Sequence, residues 1–263
     1  MVEAKTTIQK NKSRWSFWNT KSIEYKVNYF IKMPKTNNID FTNKYGNIAI
    51  DETTGKTDIK CAYGNVYIDQ LQNQSNVINL DYCGASEINY IKGGNISLDY
   101  SKLDIDTTEE LKLSSDYSNF KIIDAKSINF NCDYGTISAK NIEKISGSSD
   151  YTTIKIGKLK TKLKVSTDYG AIQIENLEDT FEDVTINSDY ASVKMGTKSS
   201  NNFKFNIAIS YANFSYPENN TEIFKRIKKS NNNYYEGVFG NGSPNGAIKI
   251  NSSYGSVKLK LNN

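Results

Sequence analysis

Histidine is missing from this sequence altogether, and arginine occurs only twice, at Arg14 and Arg226. The first absence removes the commonest general base and the commonest metal ligand. The second leaves little for bidentate recognition of phosphate or carboxylate. Three prolines in 263 residues and a formal charge of +4 complete the list of scarcities. So small a net charge gives no strong pull toward nucleic acid or anionic lipid, and no nucleic-acid partner is expected. No run approaches the roughly 20 apolar residues of a membrane-spanning helix. Residues 1–20, MVEAKTTIQKNKSRWSFWNT, lack the apolar stretch of a signal peptide. This composition disfavours most enzyme classes, and no cofactor is expected.

What is abundant is tyrosine. Eleven of the 18 tyrosines fall on one register: Tyr45, Tyr63, Tyr82, Tyr100, Tyr117, Tyr134, Tyr151, Tyr169, Tyr190, Tyr211 and Tyr254, with steps of 18, 19, 18, 17, 17, 17, 18, 21, 21 and 43. The residue after each is small, from Gly46 and Gly64 through Cys83, Ser101 and Thr152 to Gly255. Three residues after come Ile48, Val66, Ala85, Leu103, Phe120, Ile137, Ile154, Ile172, Val193, Phe214 and Val257. Four before stand Phe41, Ile59, Ile78, Ile96, Leu113, Phe130, Gly147, Val165, Ile186, Ile207 and Ile250, apolar but for one glycine. Polar residues alternate between these columns. Such period-two patterning on both sides of a tight bend marks short half-buried strands.

A near-constant period with fixed column chemistry favours coils stacked in register about 4.8 Å apart over an antiparallel sandwich. The expected fold is all-β: a single right-handed parallel β-helix (β-solenoid) of 17–21-residue coils. A weaker apolar column at Leu71, Ile142, Leu159 and Leu177 suggests a short third side. The one helical candidate, Glu218 to Lys229, is short and polar. Parity along the strand places each tyrosine ring on the interior side, able to stack on the ring of the next coil, and the small residue that follows lets the backbone turn.

Asp81, Asp99, Asp116, Asp133, Asp150, Asp168 and Asp189 precede seven consecutive ladder tyrosines. Carboxylates at solenoid spacing repel by about 0.9 kcal/mol per neighbour even in bulk water. An Asx-type turn, each carboxylate accepting a backbone N–H at the bend, is the favoured reading. A row of Ca²⁺ sites is the sharper alternative. A catalytic pair is the least favoured, since glycoside hydrolysis needs two carboxylates facing each other across a groove. Cys61 and Cys132 lie four coils apart, about 19 Å, too far for a disulfide. With Cys83 they are read as three free thiols.

Solenoid ends must be covered. Residues 1–40, with Trp15, Phe17 and Trp18, read as an N-terminal cap segment, and residues 41–263 as the repeat domain. The doubled spacing before Tyr254 marks an insert at about 213–247, expected as one irregular coil with a protruding loop. Tyr234, Tyr235 and Phe239 in it are candidate ligand contacts, with packing against the last coil as the alternative.

The stretches YKVNYFIKMPKTNNIDFTNKYGNIAI and YYEGVFGNGSPNGAIKINSSYGSVKLKL, with the Asp-Tyr-Gly corners between them, resemble a bacterial adhesin-like family of β-strand-repeat domains, similar in style to auto-transporter adhesin heads. The resemblance covers nearly the whole chain. It implies an exported protein of the cell envelope or extracellular surface, with a signal peptide and a further β segment ahead of the part seen here. It brings no catalytic or ligand residues. The expectation is a non-catalytic adhesin-like or structural module, meeting a surface polysaccharide or another envelope protein. Rival readings are a polysaccharide lyase or hydrolase on a β-helix scaffold, and an envelope stress or regulatory protein.

Overall fold

The computed structural model describes residues 27–262. The chain is a β-solenoid, and residues 34–262 lie in its compact unit. Trp15, Phe17, Trp18 and most of the expected cap lie outside the described residues. Lys35 and Asn37, placed in that cap by the sequence, line the third side of the first coil: Thr54 donates its backbone N–H to Lys35 O at 2.8 Å.

Fifteen strands follow in chain order: β1 (Ile39–Lys44), β2 (Ile48–Thr53), β3 (Thr57–Ala62), β4 (Val66–Leu71), β5 (Asn76–Asp81), β6 (Ser86–Asp99), β7 (Lys102–Asp116), β8 (Asn119–Leu177), β9 (Asp183–Thr197), β10 (Phe203–Ser210), β11 (Phe214–Ser215), β12 (Thr221–Lys229), β13 (Asn232–Phe239), β14 (Gly246–Ser253) and β15 (Val257–Leu261). β8 is long because its backbone ladder runs unbroken through the corners at Tyr134, Tyr151 and Tyr169. The helical candidate at 218–229 is a 3₁₀ turn, Glu218–Asn220, followed by strand β12.

Strands before the tyrosines form a first face and strands after them a second. On the first, Phe41 pairs with Ile59, Ile59 with Ile78 and Ile78 with Ile96, in parallel register. Leu113 and Phe130 continue the column. On the second face the column after the corner runs through Leu103 and Phe120, but its member from the Tyr82 coil is Ser86 rather than Ala85. One extra residue after Cys83 shifts that coil by one. Leu71, Ile142, Leu159 and Leu177 are fully buried on the third side. The single glycine in the first-face column has a steric cause. A Cβ on Gly147 would stand 2.7 Å from the Phe130 ring, which fills its place.

The corner differs from expectation in two respects. The left-handed residue is the tyrosine itself: all eleven have φ between 47° and 65°. A non-glycine residue in this region costs about 1–2 kcal/mol. In that conformation the chain turns before the alternation completes. Aspartate and tyrosine therefore both face outward, burial resumes at the next residue, and the rings lie outside instead of inside. The small residue that follows is needed for close approach. A Cβ at Gly135 would fall 2.0 Å from Ser118 O, and one at Gly255 1.9 Å from Ala191 O. Where that position carries a hydroxyl it is buried and bonded back into the corner: Ser118 Oγ donates to Asp116 O at 2.7 Å, and Thr152 Oγ1 to Asp150 O at 2.9 Å.

The coils do not stack in chain order. β14 pairs in parallel with β9 on one side and β10 on the other. β15 likewise lies between β9 and β11. The chain leaves β9, skips a rung, builds β10 and β11, and returns at its C-terminus to fill the gap. Asn201, buried at the crossing, donates through Nδ2 to Leu177 O and Thr197 Oγ1, both at 2.9 Å. The insert is no protruding loop. β12 and β13 form a hairpin that continues the first face antiparallel to β10, so β12 is the last strand of the sheet. A bulge at Phe224 and the KRIKK run blunt this edge against further strand addition.

Candidate functional site

Two outward features repeat along the solenoid. The first is the tyrosine stack. Ten consecutive ring pairs have centroids 4.6–5.2 Å apart and planes within 22° of parallel. Each pair contributes about 0.5–1.5 kcal/mol, of the order needed to offset the left-handed backbone. Neighbours in the row cover both faces of nearly every ring, and only the end rings, Tyr45 and Tyr211, have a face that no other ring of the row covers. At Tyr45 the Lys44 ammonium stands 5.1 Å from the ring centroid. The phenols of Tyr82, Tyr134 and Tyr190 are held above their ordinary pKa by desolvation in the stack, then by the flanking phenols. These three hydroxyls are therefore neutral near pH 7.

Beside it runs the aspartate row. Asp99 is pushed above the usual carboxylate range by partial burial, then by the charges of Asp116 and Asp81. Asp168 is raised by burial, then by Asp150 and Asp189. The Asx-type turn does not describe the bonding found. The backbone carbonyls bind the coils together, as Tyr82 N–H donates to Asp99 O at 3.0 Å. One carboxylate of the row, Asp133, accepts a backbone N–H, and it is that of Asp150 in the next coil, at 3.2 Å. Asp189 Oδ1 is buried without a partner. Among the described residues no three carboxylates or thiols are grouped as metal ligands would be. The row is a line of like charges rather than a pair across a cleft.

Cys61, Cys83 and Cys132 are free and buried. Cys83 Sγ lies 3.3 Å from Cys61 O in the coil below, a neighbour relation the spacing argument overlooked. Burial, then the Cys83 thiol, pushes Cys61 up to about 12. Burial takes Cys132 to about 11. Neither is a nucleophile near neutral pH.

The three aromatics of the insert separate. Phe239 is fully buried and stacks on Phe203 at 4.8 Å. Tyr235 is buried against Phe214, with Arg226 over its ring. Both pack against the last coil and are closed to a ligand. Tyr234 is half-buried, with its hydroxyl donating to Glu236 Oε2 at 3.2 Å and Lys225 over its ring.

The second outward feature, absent from the sequence reading, is the charge of the second face. Its first coils present Asp51, Asp69, Glu87, Asp104 and Asp106, and its later coils Lys121, Lys140, Lys155, Lys194 and Lys258. Within the basic half lies a groove of about 790 Å³ crossing five coils, lined by Lys140, Lys158, Lys194 and Lys260. Asn141, Gln173, Asn176 and Asn262 supply amides, and Glu175 is its one acid. The wall is drawn in at Gly157 and Gly196, where a Cβ would lie 2.5 Å from Lys140 O and 2.0 Å from Glu175 O. A register shift between Ile174 and Leu177 pushes Glu175 and Asn176 outward. None of the four lysines enters an ion pair among the described residues. The signal was the run of lysines four to seven residues after the later corners, which an average charge near zero conceals.

The chain matches no protein-family profile, no curated protein and no solved structure.

Proposed function

We propose that this chain is a non-catalytic binding module of a cell surface or envelope, adhesin-like in action. The observation that carries this reading is the repetition of outward groups rung by rung on a braced scaffold. Hydroxyls, carboxylates and lysines recur along lines at about 4.8 Å, which suits a long partner met at many points. Seven of the ten ladder steps are 17–19 residues, leaving little chain for loops that would close over a small substrate. A polysaccharide-acting lyase or hydrolase is the second reading, and one observation favours it: Glu175 stands in a groove among four lysines. Incubation of the purified chain with a panel of surface polysaccharides separates the two. Retention without new reducing ends or unsaturated sugars is the expected result. Turnover that survives clean purification and is lost in Glu175→Gln would establish the enzyme instead.

A further inference from the structure

We propose that the lysine-lined groove of the second face binds an acidic polysaccharide laid along the solenoid axis; this rests on the binding-module reading and names its ligand class. The four lysines come from four of five successive coils, so their ammonium groups are spread over roughly 19 Å of axis instead of converging. A compact anion needs convergence; an extended one with charge at intervals fits this spread. Among the described residues none of these lysines is held in an ion pair, and Glu175 offsets one of the four charges, so the remaining charge is available to a ligand at no cost of breaking an internal pair.

The uncharged lining decides which polyanion. Gln173 offers both a donor and an acceptor, and Asn141 and Asn176 each keep a second amide hydrogen beside the bonds they make to Asp124 and Glu178, which suits sugar hydroxyls. Asn262 spends its amide hydrogens on Glu175 O and Asn176 Oδ1 and so braces the wall. No aromatic side chain and no arginine lines the groove. Single-stranded nucleic acid is held by aromatic stacking beside a basic track, and phosphate forks favour arginine. The groove offers neither. Nor does it offer an open ring face, so a neutral sugar has nothing to stack upon. The acidic half of the same face fixes one end of the site. An anionic chain leaving Lys140 toward the first coils passes Lys121 and then meets Asp106 and Glu87, which repel it. A second copy of the chain, turned end for end, could set its acidic half against this basic half, but a concave wall leaves a gap under a flat sheet face.

The probe is a set of short polygalacturonate oligomers, compared with the same oligomers fully methyl-esterified and with single-stranded DNA of matched charge, titrated calorimetrically at low and high salt. The acid form is expected to bind, to weaken as salt rises, and to lose at least about tenfold in affinity, roughly 1.4 kcal/mol, in Lys158→Glu/Lys194→Glu. Lys60→Glu/Lys112→Glu, on the first face, should retain wild-type binding. All four lysines are exposed, so unchanged melting of both double variants serves as the folding control. Equal binding of the ester, or an affinity indifferent to the groove reversals, would overturn the proposal. So would DNA binding as tightly as the oligomer, since the amides would then decide nothing. Sedimentation that shows self-association, abolished by the groove reversals and without glycan binding, would assign the groove to a second copy. If the acidic oligomers fail while other polysaccharides are retained, this inference falls and the binding-module reading stands. If no polysaccharide is retained, both fall.

Discussion

Tyr254 stacks on Tyr190 with ring centroids 4.6 Å apart and planes within 3°, and Tyr211, which precedes it in sequence, lies on its far side at 4.8 Å. The C-terminal coil is thus an internal rung. Until it arrives, β9 and β10 have no partner between them, so the last part of the solenoid must close cooperatively.

Deleting residues 246–263 should therefore unfold the region from Phe203 onward rather than trim an end. The deletion removes Ile248, Ile250, Val257 and Leu259, all buried, each contributing about 1.5–3 kcal/mol. Their sum is comparable with the whole stability of an ordinary domain, about 5–15 kcal/mol. A synthetic peptide of residues 244–262 added in trans should restore the melting transition. A truncated chain that melts unchanged would show that the rung is dispensable.

Gly135→Val should destabilise by about 1–3 kcal/mol or more through forced backbone displacement, because its Cβ would strike Ser118 O. Thr136→Val, at a half-buried position, should stay within about 0.5 kcal/mol. Urea unfolding of the pair measures the difference. Equal shifts would mean the corner register is wrong.

The left-handed tyrosine predicts an inverted ranking at Tyr134. Alanine and glycine remove the same two stacking partners, but alanine keeps the strain at φ 51° and glycine relieves it. Tyr134→Gly should be more stable than Tyr134→Ala by about 1 kcal/mol, the reverse of what an extended strand position gives. If alanine proves the milder change, the strain argument fails.

The aspartate row sets a pH dependence. Asp99 and Asp168 have folded-state pKa values above the unfolded carboxylate value, so the folded state binds their protons more tightly. Their share of stability is lowest at neutral pH, grows as pH falls through the folded pKa, and is complete below the unfolded value of about 3.9. Asp168→Asn should raise the melting midpoint at pH 7 and flatten this part of the profile. A lower midpoint in the variant would refute mutual repulsion. A midpoint raised by calcium and lowered by chelator would instead mean that cations bridge the row.

The thiols should be silent in the native protein. With Cys61 near 12 and Cys132 near 11, a disulfide-exchange reagent at pH 8 should react only as fast as the chain unfolds. Serine at Cys61 or Cys132 should leave the non-reducing gel pattern unchanged, and a lost crosslink would contradict the free-thiol assignment.

Much of the architecture was legible because a solenoid writes its tertiary contacts into local spacing. The columns at Ile59, Ile78 and Ile96 predicted parallel pairing from the period alone, and the buried Leu71, Ile142, Leu159 and Leu177 carried the third side. The candidate site was far less legible. Lys140, Lys158, Lys194 and Lys260 fall at differing offsets from their corners, and they line one groove only because two glycines draw the wall inward beside a register shift that pushes Glu175 and Asn176 outward. Tyr234, Tyr235 and Phe239 looked equivalent in sequence, and the hairpin pairing of β13 with β10 buried two of them.

The β-solenoid, the corner positions and the residues that fill the core can all be read from the amino-acid order, because each follows from alternation and a repeat that physical stacking requires. The outward swing of the rings and the order of the last coils were decided only in three dimensions. Burial alternation cannot announce a residue that leaves the extended region, and at Tyr82 or Tyr134 the left-handed turn places the ring outside against its own parity. Coils with the same column chemistry can pair with any neighbour, so nothing local told Ile250 to lie between Ile186 and Ile207. That choice belongs to the short crossing after Thr197, which spans two rungs, and to the hairpin that carries the chain back to fill the space between them.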